Sequence, residues 1–219
     1  MKIQPVTKER LAKMRQANGR NAEIAKKMGL TYNCITRLFD CDEDVIVTED
    51  LVSDGKLNIR FGKVDGDFLL QTKQVYSLEG APQMVGGDFV CFNNRLTSLE
   101  GAPQKVGGNF VCFNNRLTSL EGAPKEVGGC FNCNYNALTS LEGAPQKVGG
   151  SFCCNGNKLT SLEGAPQEVG GDFVCGCNRL TSLGGAPVEV RGNFDCRWND
   201  NLARPKTKPG WLNGRMKYR

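Results

Sequence analysis

The chain has no histidine among its 219 residues and no apolar run long enough to cross a bilayer. Without histidine, acid–base chemistry would fall to carboxylates or lysines, and a tetrahedral zinc site would need four thiolates. A membrane-spanning helix needs about 20 apolar residues, so we expect no membrane contact. The residues after Met1 also lack the apolar stretch of a secretory signal, which predicts a cytoplasmic protein.

Tryptophan and tyrosine are scarce, whereas phenylalanine recurs at a fixed interval. From position 68 onward it occupies every 21st position: Phe68, Phe89, Phe110, Phe131, Phe152, Phe173 and Phe194. A fixed period of this length is typical of a solenoid, in which each repeat packs only on its neighbours. This architecture favours an extended binding surface over an enclosed pocket, so we predict a protein that is not an enzyme.

Six of the eleven cysteines follow the phenylalanines by two residues: Cys91, Cys112, Cys133, Cys154, Cys175 and Cys196. On a strand this spacing places Cys and Phe on the same face, so we expect an inward column of both. Stacked thiols would be close enough for a disulfide, but the odd total favours reduced cysteines. Cys130 and Cys153 should point outward while Cys133 and Cys154 point inward. We therefore expect no metal site and no cofactor.

Each repeat reads Val-Gly-Gly-x-Phe-x-Cys-x-x-Asn-x-Leu-Thr-Ser-Leu-Glu-Gly-Ala-Pro-x-x. The stretch Phe-x-Cys-x-x-Asn-x-Leu resembles the leucine-rich-repeat core Leu-x-Leu-x-x-Asn-x-Leu over about residues 54–202. The resemblance implies one short parallel strand per repeat on a concave face, and an Asn side chain bonded to the backbone where the strand turns. The Gly- and Pro-rich remainder leaves no room for a long helix, which predicts extended chain or a tight turn on the convex side. A different β-solenoid is the alternative.

Residues that alternate with the inward Phe and Cys should point outward from each strand. Two neighbouring repeats carry valine and phenylalanine there, and contiguous exposed apolar side chains usually mark an interaction site. The alternative is that the valines suit a strand and the two phenylalanines only stack across it. We predict that the concave face binds a protein partner through Val90, Phe92, Val111, Phe113, Asn132, Asn134, Tyr135, Asn155 and Arg197.

Residues 1–39 are predicted to form three short helices, over residues 7–17, 22–28 and 31–39. The segment Ala22-Glu-Ile-Ala-Lys-Lys-Met-Gly-Leu-Thr-Tyr-Asn-Cys-Ile-Thr-Arg-Leu38 resembles the helix-turn-helix of resolvase-like bacterial DNA-binding domains. The resemblance implies a recognition helix over residues 31–39 that enters the major groove. The DNA-binding residues implied in this way are Tyr32, Asn33, Thr36, Arg37, Lys26 and Lys27.

The two ends of the chain are basic and its middle is acidic. Residues 1–39 hold nine Lys/Arg against two acids, and residues 203–219 hold six Lys/Arg and no acid. This asymmetry favours polyanion contact at the ends, so double-stranded DNA is expected at the N-terminal module and the basic tail. The alternatives are a module that caps the solenoid or binds protein, and a tail that is solvated or forms a cap. The acidic residues 40–50 are predicted to be a linker.

The predicted fold class is α+β: a trihelical helix-turn-helix followed by a leucine-rich solenoid of 21-residue repeats with a parallel concave sheet. The domains would be residues 1–45, a linker and degenerate first repeat over 46–74, the solenoid over 75–202, and a basic cap or tail over 203–219. Trp198, Trp211 and Leu212 are expected to close the C-terminal end, because an uncapped terminal repeat exposes its apolar face to solvent.

The expected function is macromolecule binding without a small-molecule substrate. The nearly identical repeats suggest recent duplication in a bacterial or phage genome, where an inhibitor or regulator of host machinery is expected. The alternative is a DNA-binding transcriptional regulator in which the solenoid serves as dimeriser or sensor.

Overall fold

The computed structural model describes residues 30–33, 38–203 and 209–218. Its regular structure consists of short strands and one 3-10 turn, η1, at Glu49–Leu51. In chain order the strands are β1 (Thr31–Asn33), β2 (Leu38–Cys41), β3 (Val45–Ile46), β4 (Val52–Ser53), β5 (Lys56–Leu57), β6 (Phe61–Val64), β7 (Phe68–Leu69), β8 (Met84–Val85), β9 (Phe89–Val90), β10 (Lys105–Val106), β11 (Phe110–Val111), β12 (Glu126–Val127), β13 (Phe131–Asn132), β14 (Lys147–Val148), β15 (Phe152–Cys153), β16 (Glu168–Val169), β17 (Phe173–Val174), β18 (Glu189–Val190), β19 (Phe194–Asp195) and β20 (Met216–Lys217).

These strands form two nine-stranded sheets and a small antiparallel hairpin, β4–β5. The valine sheet has the order β1-β2-β6-β8-β10-β12-β14-β16-β18, and the phenylalanine sheet has the order β20-β19-β17-β15-β13-β11-β9-β7-β3. Within the two large sheets, neighbouring strands are parallel except for β1 and β2. In the repeats, the register joins equivalent residues of successive coils, as with Phe110 and Phe131. Each coil therefore gives one strand to each sheet, which makes the fold a parallel β-solenoid.

Columns of identical side chains fill the space between the sheets. From Phe68 to Phe194 the phenylalanine rings of successive coils stack with their centroids 5.1–5.6 Å apart. Beside them the six periodic cysteines are 0–1% exposed, which confirms that Phe and Cys share the inward face. Burying one such phenylalanine contributes about 1.5–3 kcal/mol, so the ring column supplies much of the stabilisation.

An asparagine ladder closes the bend that follows each phenylalanine strand. Asn115 Nδ2 donates to the carbonyls of Cys91 at 3.0 Å and Cys112 at 3.1 Å, and Asn115 Oδ1 accepts from Leu96 N at 3.0 Å. Similar contacts recur at Asn94, Asn136, Asn157, Asn178 and Asn199. The backbone bonds implied by the leucine-rich-repeat resemblance are thus present, and they supply the partners that buried amides require.

A second ladder runs along the corner between the two sheets. Asp88 Oδ1 accepts from the backbone N–H of Asn109 at 2.6 Å, and Ser151 Oγ accepts from that of Asp172 at 3.0 Å. The accepting oxygen occupies space that a side chain on the neighbouring glycine would fill, because a Cβ on Gly108 would collide with Asp88 Oδ1. The repeated Gly-Gly therefore keeps successive coils close enough for this ladder, which the sequence analysis did not predict.

The N-terminal end is closed by a coil that departs from the repeat. Strand β2 pairs with β6 and β3 pairs with β7, so residues 38–46 extend both sheets. The Phe61 ring meets the Phe68 ring edge-on at 5.0 Å between centroids. The acidic residues predicted as a linker thus belong largely to the first coil of the solenoid.

At the C-terminal end β20 pairs with β19. The Trp211 ring meets the Phe194 ring edge-on at 5.0 Å, and Leu212 is buried. The expectation that Trp211 and Leu212 close this end is confirmed. Trp198 is 61% exposed, so its predicted role as a cap is wrong.

The helix predicted over residues 31–39 is wrong. Thr31–Asn33 and Leu38–Cys41 are strands, the first at the edge of the valine sheet, and Phe39 of the second pairs with Phe61. Backbone partners on a sheet edge outweigh the weak local preference of such a segment for helix. The helices predicted over residues 7–17 and 22–28 lie outside the described residues. Where the structure is described there is no trihelical module, and the fold class is nearly all β rather than α+β.

The remainder of the repeat also differs from the expectation. It forms a second parallel sheet, whereas only extended chain or a tight turn was predicted opposite the phenylalanine strands. Its two-residue strands contain one inward valine each, so the alternation that indicates a strand is missing from the sequence. Within the described residues, no helix is long and apolar enough to cross a membrane.

The asparagine ladder leads to a stability prediction. Asn115→Ala removes the three hydrogen bonds described above and leaves buried backbone groups unsatisfied, so the free energy of unfolding should fall by about 3 kcal/mol. Gln104→Ala, on the exposed surface of the preceding turn, should change it by less than about 0.5 kcal/mol. Urea unfolding followed by circular dichroism measures both values. Equal losses in the two variants would contradict the role of the ladder.

Candidate binding surface

The outward face of the phenylalanine sheet carries one continuous row of side chains, fixed by the register of the strands. From the N-terminal end the row reads Ile46, Leu69, Val90, Val111, Asn132, Cys153, Val174, Asp195 and Lys217. Its first four members are apolar, and Ile46 is 61% exposed while the next three are half-buried. Leu69 and Ile46 thus make the apolar surface two coils longer at its N-terminal end than Val90 and Val111 alone indicate.

Phe92 and Phe113 lie two residues beyond Val90 and Val111 on the same outward face. Their rings stack at 4.5 Å between centroids with an angle of 7° between planes. Both side chains are half-buried, so the stack predicted as an alternative is present and still leaves ring surface open to solvent. The pair forms a rigid aromatic step, because rotation of either ring would break the stacking.

The middle of the sheet is polar, and its amides are already partly used. Asn134 Oδ1 accepts from Asn155 N at 2.7 Å, and Asn155 Oδ1 accepts from Gly176 N at 2.6 Å. Asn132 Oδ1 accepts from Asn134 N at 3.1 Å. These side chains are held in place by backbone bonds between or within coils, so they present a fixed pattern of amide groups beside the apolar step.

Tyr135 lies at the bend that ends its phenylalanine strand and is 62% exposed. Its φ is +52°, in the left-handed region that a bulky side chain rarely occupies. The ring covers the backbone of the next coil, because a Cβ on Gly156 would lie 2.6 Å from its Cδ1. The repeat imposes this backbone conformation at every bend, and the tyrosine therefore projects from a fixed position at the rim of the polar region.

Arg197 lies at the C-terminal end of the face, remote from the apolar step. Its Nε donates to Asp195 Oδ1 at 2.9 Å and its Nη2 to Asp195 Oδ2 at 2.6 Å, while its guanidinium lies 4.9 Å from the Trp198 ring centroid. Burial would raise the pKa of Asp195, but the hydrogen bonds and charge of Arg197 outweigh it, so this pKa lies below its ordinary value. Arg197 therefore makes contacts within the solenoid that the sequence did not indicate.

The DNA-binding residues implied by the helix-turn-helix resemblance do not form a recognition helix. Tyr32 and Asn33 are part of β1, at the edge of the valine sheet. Lys26, Lys27, Thr36 and Arg37 lie outside the described residues.

The buried cysteines offer little chemistry at neutral pH. Burial raises the pKa of Cys133, Cys154 and Cys175 well above that of a free thiol, and raises the pKa of Cys153 to about 11. Cys130 Sγ accepts from Ser151 N at 3.3 Å as a member of the corner ladder. Across the described residues no three Cys, Asp or Glu side chains converge as a metal site would require.

Comparisons with protein-family models, curated proteins and solved structures found no match to this chain.

Two cysteines of one bend provide a test of the inward column. Cys175 is buried, whereas Cys177, two residues later, is exposed. In the native protein near pH 8, iodoacetamide should modify Cys177 at least about 100-fold faster than Cys175, because only a thiolate in contact with solvent reacts. Tandem mass spectrometry of the shared peptide measures both rates. Comparable rates would show that the column is open to solvent.

The pair of Asp195 and Arg197 gives a pH-dependent prediction. Because the pKa of Asp195 is lower in the folded than in the unfolded chain, its stabilising effect is present above the unfolded value of about 3.9 and is lost as the pH falls through the folded value. Asp195→Asn should lower the free energy of unfolding by about 1 kcal/mol at pH 7. Urea unfolding at several pH values should show this difference shrink below about pH 4. A constant difference would contradict the assignment.

Proposed function

We propose that the chain is a binding protein that holds a protein partner on the outward face of the phenylalanine sheet. The observation that carries the proposal is the stacked pair of Phe92 and Phe113 beside the apolar row Ile46, Leu69, Val90 and Val111. Aromatic anchors within a contiguous apolar surface are the usual energetic centre of a protein interface.

The neighbouring amides suggest the chemistry of the partner. Asn134 and Asn155 use their carbonyl oxygens inside the solenoid, and among the described hydrogen bonds their Nδ2 groups donate to no protein acceptor. These groups favour partner carbonyls or carboxylates next to the apolar contact. The surface therefore suits a partner with an apolar or aromatic anchor and hydrogen-bond acceptors one or two coils away, near Tyr135.

We also propose that this activity is not enzymatic. Support comes from the lack of histidine in the sequence, which removes the usual base at neutral pH, and from the burial of the periodic cysteines, which keeps their thiols from acting as nucleophiles. The regulator alternative depended on a helix-turn-helix, and strands stand where its third helix was predicted.

A relationship of the repeats to leucine-rich repeats remains a proposal. The asparagine ladder, the buried leucine columns and the single phenylalanine strand of each coil support it. An origin in a phage, with a role as inhibitor or regulator of host machinery, is proposed from the near identity of the repeats alone.

The proposed surface can be tested by affinity capture from a bacterial lysate with quantitative mass spectrometry. Phe92→Ser with Phe113→Ser removes the aromatic step, and we expect the recovery of a specific partner to fall at least about tenfold, as for interface anchors. The matched control is Met84→Ser with Val188→Ser, which removes exposed apolar side chains outside the phenylalanine sheet.

The control should leave recovery of the partner unchanged, and circular dichroism should show that both variants retain the strand spectrum. A partner recovered equally with all three proteins would contradict the proposed surface. A partner lost only with the control would move the site to the valine sheet side.

A further inference from the structure

One side of the solenoid, which we call the flank, consists of residues 116–121 and their equivalents in the other coils. It connects the bend after the phenylalanine strand to the glycine turn before the valine sheet. Leu117 and Leu120 are buried, whereas Arg116, Thr118 and Glu121 are exposed. The flank therefore presents three parallel columns to solvent, one basic, one of threonine and one acidic, and it is distinct from the face of the proposed function.

The basic column contains Arg95, Arg116, Lys158 and Arg179, with Ala137 in the middle coil. Successive coils lie about 4.8 Å apart, as neighbouring strands of a sheet do. Within the described part of the chain none of these four cations forms an ion pair. Other exposed charges do form ion pairs, as with Lys147 Nζ, which lies 3.1 Å from Glu168 Oε2. The column is thus a set of aligned cations whose charges are not neutralised within the described structure.

The acidic column contains Glu100, Glu121, Glu142 and Glu163, all of them exposed. The first equivalent, Glu79, contacts Lys56 at 3.5 Å and Arg60 at 3.2 Å, while the other four have no ion pair with any described residue. Their backbone is fixed, because Glu121 N donates to Ser119 Oγ at 3.0 Å, with similar bonds in other coils. Like charges stacked at this spacing repel one another, so an opposing column of opposite sign would lower the free energy.

A second copy of the flank supplies that opposing column on both sides at once. When two flanks face each other across a two-fold axis parallel to the solenoid axis, the basic column of each lies opposite the acidic column of the other. A two-fold axis perpendicular to the solenoid axis would instead place like columns together. The threonine side chains between the two charged columns are small, which lets the two flanks approach each other.

The spacing of the charges also favours a second copy over other partners. An opposing surface must repeat at the same interval, and an identical solenoid does so in every coil. A nucleic acid would gain from the basic column but would be repelled by the acidic column beside it. The charge pattern is self-complementary, as a symmetric dimer interface requires.

We propose that two copies of the chain associate side by side and in the same direction through their flanks. In this arrangement Arg95 pairs with Glu100 of the partner subunit, Arg116 with Glu121 of the partner subunit, and Lys158 with Glu163 of the partner subunit. The two-fold axis repeats each pair, while Ala137 and Gly184 leave the remaining coils without one. The dimer leaves both phenylalanine sheets free for partners.

The test is the molar mass of the full chain by sedimentation velocity, at about 20 mM and about 500 mM salt, since exposed ion pairs are screened by salt. We expect a dimer at low salt that dissociates at high salt. A basic reversal (Arg95→Glu, Arg116→Glu, Lys158→Glu) and an acidic reversal (Glu100→Lys, Glu121→Lys, Glu163→Lys) should each raise the dimer Kd at least about tenfold. An equimolar mixture of the two variants should restore a dimer, because every column again faces its opposite.

The matched control reverses Lys105, Lys125 and Lys147 to Glu outside the flank and should leave the dimer Kd unchanged. A wild-type chain that stays monomeric at low salt, or a dimer that neither reversal weakens, would overturn the proposal. Labelled oligo-dT of about twenty nucleotides tests the other ligand class. Binding of this probe to a monomeric wild type, lost in the basic reversal, would make the column a nucleic-acid contact instead. Each of these results is independent of Phe92 and Phe113.

Discussion

Every side chain in the repeats lies about one strand spacing from its own equivalent in the next coil, and the rest of the structure depends on this self-contact. Only residues that tolerate a copy of themselves at that distance suit a column. Phenylalanine rings stack, as Phe110 does on Phe131 at 5.1 Å. Asparagine amides bond the backbone, and glycine leaves room for the corner ladder. Charged side chains repel their equivalents at this distance, and their columns lie on the exposed flank.

The sequence predicted the parts of the fold that alternate or repeat strongly. Phe110 and Cys112 are spaced as neighbours on one strand face, and both are buried as expected. The valine sheet was missed because a strand such as Lys105–Val106 has one inward residue and no alternation. Residues 31–39 were misassigned because their apolar spacing suits a helix, whereas Phe61, the strand partner of Phe39, lies more than twenty residues further along the chain.

The candidate surfaces were predictable to different degrees. The positions of Phe92 and Phe113 followed from alternation, and their stacking was foreseen as an alternative. The exposed ring of Tyr135 depends on a left-handed bend that residue type alone does not indicate. The basic column on the flank is present in the sequence as Arg95, Arg116, Lys158 and Arg179 at multiples of 21 residues, but these positions lie outside the repeat core that predicts the fold.

The asparagine ladder also determines when each coil can complete its hydrogen bonds during synthesis. Asn115 completes the bend of the preceding coil, since its side chain binds Leu96 N and the carbonyl of Cys91. During synthesis from the N-terminus, each coil therefore has polar backbone groups whose hydrogen-bond partner is the asparagine of the next coil. The last coil of the growing chain therefore lacks part of its hydrogen bonding until the next coil has been made.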